Sequence, residues 1–479
     1  MASSWLSAMS ILSTSRRRRN KLKKISPFRL SSLLRLEKDP NKALRLFLTP
    51  ISANPNPKPF RYSLLCYDLI ISKLGKARMF PEMEKILHQL KNDARVIPPE
   101  VILCNVITYY GRARLPDKAL KVFDDIPAFR CQKTIKSVNT LLNALLNCRA
   151  FDEMRRLVAA IDSHAPPDVC TYNILINACC IGNDLWRARK VFDEMPERGV
   201  QPNVVTFGTF IHGLCANSNV KEALRLKTRM AIEFGIAPNS HIYTALAKAL
   251  CKVGELHKAI ELKDEMLAKN AGSDPAVYST LIAAFFKVGR NREAGELLDE
   301  MKRNGIKPDT VTYNAMINGF CRAKDIASAF RELIEMEKGE CKPDVISYNL
   351  IMSALCREGK ATKARELLKD MARRKCAPDI VSYRVVFDGL CDKKRFEDAA
   401  SLLDEMILLG YVCPCSSTAK FIDRLVGPGE DRDVWAFLVR LVKRNSVDRC
   451  VWRLVSSLAC NDDKNMDAGK LFNALIRHR

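Results

Sequence analysis

Four columns of side chains recur along this sequence in a way that could do chemistry on a ligand. One follows an aromatic residue and reads Asn173, Gly208, Thr244, Ser279, Asn314, Asn349 and Arg384. A second reads Asn203, Asn239, Asp274, Asp309, Asp344 and Asp379. Short amide, hydroxyl and carboxylate groups offer donors and acceptors at short reach, which suits the Watson–Crick edge of an unpaired base. The second column also has a purely structural use, because Asp and Asn are preferred helix N-caps, and the first could be a solvated helix start. A third column, Lys252, Lys287, Arg322 and Arg357, places one cation per unit, a track for a phosphate backbone or else a solvated basic face. In the fourth, Val205, Val311, Ile346 and Val381 are apolar residues at a helix entrance, able to wedge between bases or to staple the helix.

Catalytic patterns do not accompany these columns. The sequence has no phosphate-binding Gly-rich loop, no GxSxG, no HExxH and no zinc-deaminase signature, and its six histidines fall at unrelated positions. The expectation is a protein that is not an enzyme and needs no cofactor or metal. Of the 18 cysteines, Cys180, Cys215, Cys251, Cys321, Cys356 and Cys391 occupy one repeating position, and Phe286 takes it once. A position open to Phe is a packing position. Stacked helices lie about 8–10 Å apart, whereas a disulfide needs Cα atoms within about 4.4–6.8 Å, so these cysteines are expected to stay unpaired. Cys413-Pro414-Cys415 lacks the second pair and the histidines of a zinc site.

What must position the columns is a repeat. Met195, Met230, Met266, Met301, Met336, Met371 and Met406 are spaced by 35 residues with one gap of 36. Ala188, Ala223, Ala259, Ala294, Ala329, Ala364 and Ala399 keep the same period, as do Tyr172, Phe207, Tyr243, Tyr278, Tyr313, Tyr348 and Tyr383. Each unit reads as two helices. The first opens after Pro-Asp or Pro-Asn and buries a stripe such as Tyr313, Met316, Ile317 and Phe320; a turn follows, as at Val253-Gly254, Val288-Gly289 and Glu358-Gly359. The second carries the small Ala and the Met, as over Arg292 to Arg303, and stops at Gly305. A helix pair this short cannot bury both apolar faces alone, so successive pairs must stack as an all-α solenoid.

Regular units are expected over 169–414, with three looser copies over 65–168, a half unit with inward Ala43, Leu44 and Phe47 plus a proline-rich joint over 36–64, and divergent capping helices over 415–479. Residues 1–35 contain no Asp or Glu and carry Arg16, Arg17, Arg18, Arg19, Lys21, Lys23, Lys24, Arg29 and Arg35 among serines and apolar residues. That is the composition of an organelle transit peptide, its arginines favouring the mitochondrion over the chloroplast. The net charge of +24 favours a polyanionic partner, and no apolar run is long enough to insert in a membrane.

The segments VCTYNILINACC (169–180), TVTYNAMINGFC (310–321) and VISYNLIMSALC (345–356) resemble the pentatricopeptide repeat family in its form with uniform 35-residue units. The resemblance implies a right-handed superhelical solenoid, here of about ten to eleven helix-turn-helix repeats. It also implies an organellar, sequence-specific binder of single-stranded RNA, one nucleotide per repeat, with the amino terminus toward the RNA 5′ end. In that family the residue after the aromatic and the last residue of the unit select the base together. By this resemblance Asn139 with Asp168, Asn314 with Asp344 and Asn349 with Asp379 are uracil-preferring. Asn173 with Asn203 is cytosine- or pyrimidine-preferring, Thr244 with Asp274 guanine-preferring, and Ser279 with Asp309 leans to guanine. Gly208 and Arg384 depart from the pattern. The outcome of occupancy would be stabilisation, processing, splicing or translation of an organellar transcript, with RNA-processing proteins as further partners. A protein-binding solenoid, such as a component of an organellar ribosome, is the competing reading.

Overall fold

A computed structural model describes residues 26–48, 60–161, 166–269, 274–339 and 341–411. Among them are 22 α-helices, one 3-10 turn at Ile126–Phe129 and no strand. Most of residues 1–35, the proline-rich joint, Cys413-Pro414-Cys415 and residues 415–479 lie outside the described residues.

The chain divides into two compact units, residues 1–213 and 214–479. In the first, helix pairs span Pro27–Leu36 with Pro40–Leu48, Leu64–Lys76 with Phe80–Asn92, Glu100–Arg112 with Pro116–Asp125, Ile135–Cys148 with Phe151–Ala159, and Val169–Ile181 with Leu185–Glu197. The boundary falls in Val204–Ala216, which Val220–Ile232 follows. The second unit continues with Ser240–Val253 and Leu256–Ala268, Pro275–Lys287 and Asn291–Arg303, Thr310–Arg322 and Ile326–Lys338, Val345–Arg357 and Ala361–Arg373, and Ile380–Asp392 and Phe396–Leu408. Within each compact unit the first helix of one pair packs on the first helix of the next. That stacking buries the stripe no single pair could cover.

All three ladders read from the sequence are interior: every Met, every Ala and every aromatic of the columns is buried. Several tyrosines reach a carboxylate from this position. The Tyr243 hydroxyl donates to Glu265 at 3.2 Å, Tyr278 to Glu300 at 3.1 Å and Tyr383 to Glu405 at 3.1 Å. The cysteine column packs too. Cys180, Cys215, Cys321 and Cys391 are buried, all described cysteines are free, and burial pushes the Cys180, Cys215 and Cys356 thiols up to about 12.

The turn inside each repeat requires one residue in the left-handed region. Gly254, Gly289 and Gly359 supply it at φ 84°, 79° and 77°, but Arg78, Arg114, Arg149, Asn183, Ser218, Lys324 and Lys394 do the same without being glycine. The amino-terminal boundary also moves. A cut at residue 35 falls inside the Pro27–Leu36 helix, whose Leu30 and Leu34 are fully buried and which packs on Leu64–Lys76. With Ser26 capping it, this helix completes a pair with Pro40–Leu48 where a half unit was expected.

Candidate nucleic-acid interface

The terminal residue of each regular unit caps the next first helix. Asp168 accepts the Thr171 backbone N–H at 2.8 Å, Asn203 that of Thr206 at 3.0 Å and Asn239 that of Ile242 at 3.1 Å. Asp309, Asp344 and Asp379 accept from Thr312, Ser347 and Ser382 at 2.8, 2.9 and 2.8 Å. Asp274 differs, accepting from Ala276 at 2.9 Å. Capping is therefore the structural duty of the whole column.

Capping does not exhaust it. The Asn139 amide donates to Asp168 Oδ1 at 2.9 Å, the Asn314 amide to Asp344 Oδ1 at 3.3 Å, and the Thr244 hydroxyl to Asp274 Oδ2 at 3.1 Å. These partners are 29 or 30 residues apart in sequence and meet because the cap of one helix stands beside the first helix of the unit before it. Burial alone would raise the Asp379 carboxyl, but the N–H and hydroxyl of Ser382 and the Asn349 amide outweigh it and hold it below the usual range. Asp168 is held low in the same way, burial being offset chiefly by the Thr171 N–H and the Asn139 amide. Among the described residues no hydrogen bond joins Asn173 to Asn203; Ser279 donates to the Ala276 carbonyl at 3.0 Å and not to Asp309.

At Asp168 and Asp344 the cap and the amide bonds converge on Oδ1, which leaves Oδ2 as an acceptor. An amide N–H beside a carboxylate oxygen is an edge that can pair with a base. Val205, Val311 and Ile346, two residues before the aromatic, are 62%, 62% and 58% exposed. They are not buried staples, and stand open at the entrance of the same helices. Lys252, Lys287, Arg322 and Arg357 are exposed in the last turn of their first helices, so each of these units carries a cation eight residues beyond its base-selecting position.

Sequence reasoning missed one column. Thr171, Thr206, Thr312, Ser347 and Ser382, one residue before the aromatic, are fully buried, and their hydroxyls lie against the terminal residues. Their alternation with Ile242 and Val277 in other units was the available signal. Among the described residues no group of three His, Cys, Asp or Glu is placed to hold a metal, and no helix is long and apolar enough to cross a membrane.

Comparison with known proteins agrees with this period. The PPR repeat family matches residues 167–216, 203–252, 273–322, 308–350 and 343–392, and the PPR repeat matches 101–131, 241–270 and 381–411. A pentatricopeptide repeat-containing protein of Arabidopsis thaliana is 48% identical over 245 residues, 51% of this chain and 52% of that protein. The Arabidopsis thaliana small ribosomal subunit protein mL103 is 28% identical over 210 residues, 43% of this chain and 50% of that protein. The chain thus spans about half the length of the curated relatives it matches. The crystal structure of the pentatricopeptide repeat protein PPR10 from maize aligns with a TM-score of 0.42 at 18% identity, covering 87% of this chain and 69% of that one. With family matches over more than half of its residues, on helix pairs whose interior ladders keep the same 35-residue step, the chain belongs to the pentatricopeptide repeat family.

Proposed function

We propose that this chain binds single-stranded RNA along its first helices, one nucleotide per unit, and acts on an organellar transcript by occupancy. The observation that carries the reading is the in-register pairing of Asn139 with Asp168, Thr244 with Asp274 and Asn314 with Asp344, each a polar edge joined by a hydrogen bond across neighbouring units. In the Asn314 unit an exposed apolar residue, Val311, and an exposed cation, Arg322, stand on the same helix. Base, stack and phosphate would each find a partner there. The target reads uracil, pyrimidine, an unspecified base, guanine, guanine, uracil and uracil from the Asn139 unit to the Asn349 unit. Relatives named as mitochondrial, together with the acid-free basic start, favour the mitochondrion.

The test is selection from a random single-stranded RNA pool by the purified chain, followed by salt titration. Recovery of that heptamer supports the proposal, and a pool without sequence enrichment refutes it. If the cation column meets phosphates, log affinity falls with log salt by about 0.7 per phosphate neutralised. Replacing Lys252, Lys287, Arg322 and Arg357 with Gln should then flatten the slope and weaken all RNAs alike.

A second reading has its own support, since the relatives mL103 and mS79 are small ribosomal subunit proteins of Arabidopsis thaliana. Under it the chain would co-sediment with organellar ribosomes and select no sequence from the pool.

A further inference from the structure

The buried hydroxyl column is more than a cap. Thr171 Oγ1 lies 2.7 Å from Asn139 Oδ1 and 2.9 Å from Asp168 Oδ1, and Ser347 Oγ lies 2.6 Å from Asn314 Oδ1 and 2.9 Å from Asp344 Oδ1. A hydroxyl has one hydrogen to give. Each carboxylate oxygen already receives a backbone N–H and the Asn amide, whereas the amide oxygen has no other donor among the described residues. Leaving a buried acceptor unsatisfied costs about 1–3 kcal/mol, so the hydroxyl hydrogen belongs on the amide oxygen.

The amide is then held at both ends, its oxygen by the hydroxyl and one N–H by the carboxylate. We infer that Thr171 and Ser347 are positioning residues for base choice, fixing the amides of Asn139 and Asn314 so that an N–H, not a C=O, is offered beside the carboxylate. This rests on the RNA-binding reading and deepens it. A donor next to an acceptor complements uracil, whose O4 accepts and whose N3–H donates. A turned amide would offer two acceptors, which complement the N1–H and N2–H groups of guanine.

The distribution of the column agrees with this role. Every regular unit with Asn at the reading position is followed by the hydroxyl, as Asn173 by Thr206, Asn314 by Ser347 and Asn349 by Ser382; Asn139 is likewise followed by Thr171. Ile242 and Val277 stand instead after Gly208 and Thr244, which have no amide to orient, while Thr312 follows Ser279, where the hydroxyl bonds the Asp309 cap alone. The Thr244 hydroxyl gives its hydrogen inward, to the Ser240 carbonyl at 2.9 Å or Asp274 at 3.1 Å, and so presents lone pairs beside a carboxylate. In the Asn173 and Asn349 units the amide oxygen is buried with no donor, while Thr206 and Ser382 bond Asn203 and Asp379. In those two units the hydroxyl stays with the cap, so the positioning role belongs to Thr171 and Ser347.

The experiment compares the full chain with Ser347→Ala and the conservative Ser347→Thr in two assays. The first follows solvent exchange of the Asn314 side-chain amide by NMR with 15N-asparagine and no RNA. The second measures affinity for two RNAs that differ only by uracil or guanine opposite the Asn314 unit. Loss of one buried hydrogen bond should speed the exchange and lower the uracil-to-guanine preference by about fivefold or more in Ser347→Ala, with Ser347→Thr close to wild type. A merely structural role would weaken both RNAs equally and leave their ratio unchanged. An unchanged ratio, or unchanged amide exchange, overturns the inference. A wild-type chain that binds neither RNA refutes the RNA-binding reading itself, one that binds both alike refutes the role in base choice, and in either case the exchange assay still decides whether Ser347 fixes the amide.

Discussion

Gly319 faces the ring of Phe286, one repeat earlier, so closely that a Cβ on Gly319 would lie inside contact distance of the ring carbons. The same place in two other units sets Gly213 against the Cys180 sulfur and Gly389 against the Cys356 sulfur. Neighbouring first helices therefore meet as a knob on a glycine hole.

Gly319→Ala should destabilise the chain by about 1–3 kcal/mol through overpacking, more than the about 1 kcal/mol of helix propensity it gains. With Phe286→Ala, which removes the ring carbons that the new Cβ meets, the double variant should lose less than the two single variants summed. Urea unfolding of the two single variants and the double variant checks this; a Gly319→Ala chain as stable as wild type would refute the close packing.

The interior was legible in the sequence because burial imposes composition directly. The ladder of Met195, Met230 and Met266 and that of Ala188, Ala223 and Ala259 could hold nothing large and polar, and the single exchange of Cys for Phe286 marked that column as packing. The partner of Phe286 was not legible, since Gly319 reads as an ordinary helix glycine until the next helix is laid on it. The Ser347 hydroxyl escaped for the same reason: its bond to Asn314 spans 33 residues and exists only after stacking. The left-handed turn position was visible at Gly254 but hidden at Lys324, where the backbone demand is the same and the side chain gives no sign of it. The Pro27–Leu36 helix was obscured by its basic, serine-rich composition, which matches the segment before it.

That hidden turn makes a prediction about stability. Lys324 sits at φ 62° where a left-handed backbone costs an ordinary residue about 1–2 kcal/mol. Lys324→Gly should stabilise the chain by about 0.5–1 kcal/mol after the entropy of the more flexible unfolded chain is subtracted. Gly289, at φ 79° with open space around it, gives the reverse test: Gly289→Ala should lose a similar amount. Thermal unfolding that moves both variants in one direction would contradict this account.

Acid should weaken the caps. The Asp168 and Asp379 carboxyls have pKa values held below the usual range in the folded chain, against about 3.9 when unfolded. A depressed folded pKa adds stability that is complete above the unfolded value and is lost as pH falls through the folded one. Asp168→Asn with Asp379→Asn keeps a capping side chain but removes the charge. The stability gap between this variant and wild type should be full at neutral pH and shrink below a pH of about 3.9. Urea midpoints across that range measure it, and a gap that widens on acidification would refute the assignment.

The base-selecting edge can be rewritten at one unit. The Asn314 amide beside Asp344 offers a donor next to an acceptor, whereas the Thr244 hydroxyl beside Asp274 spends its hydrogen inward and offers acceptors. Asn314→Thr should therefore carry the preference of that unit from uracil toward guanine. A bidentate base contact discriminates by about 1–3 kcal/mol, which anisotropy on two short RNAs differing at one nucleotide resolves. The change should be confined to that nucleotide, because the neighbouring pairs, Ser279 with Asp309 and Asn349 with Asp379, keep their own side chains. The Gly208 unit, with no side chain at the reading position, should accept all four bases alike in both proteins. A fall in overall affinity with no change in preference would reduce Asn314 and Asp344 to a helix cap and its neighbour, and would favour a protein ligand on this face.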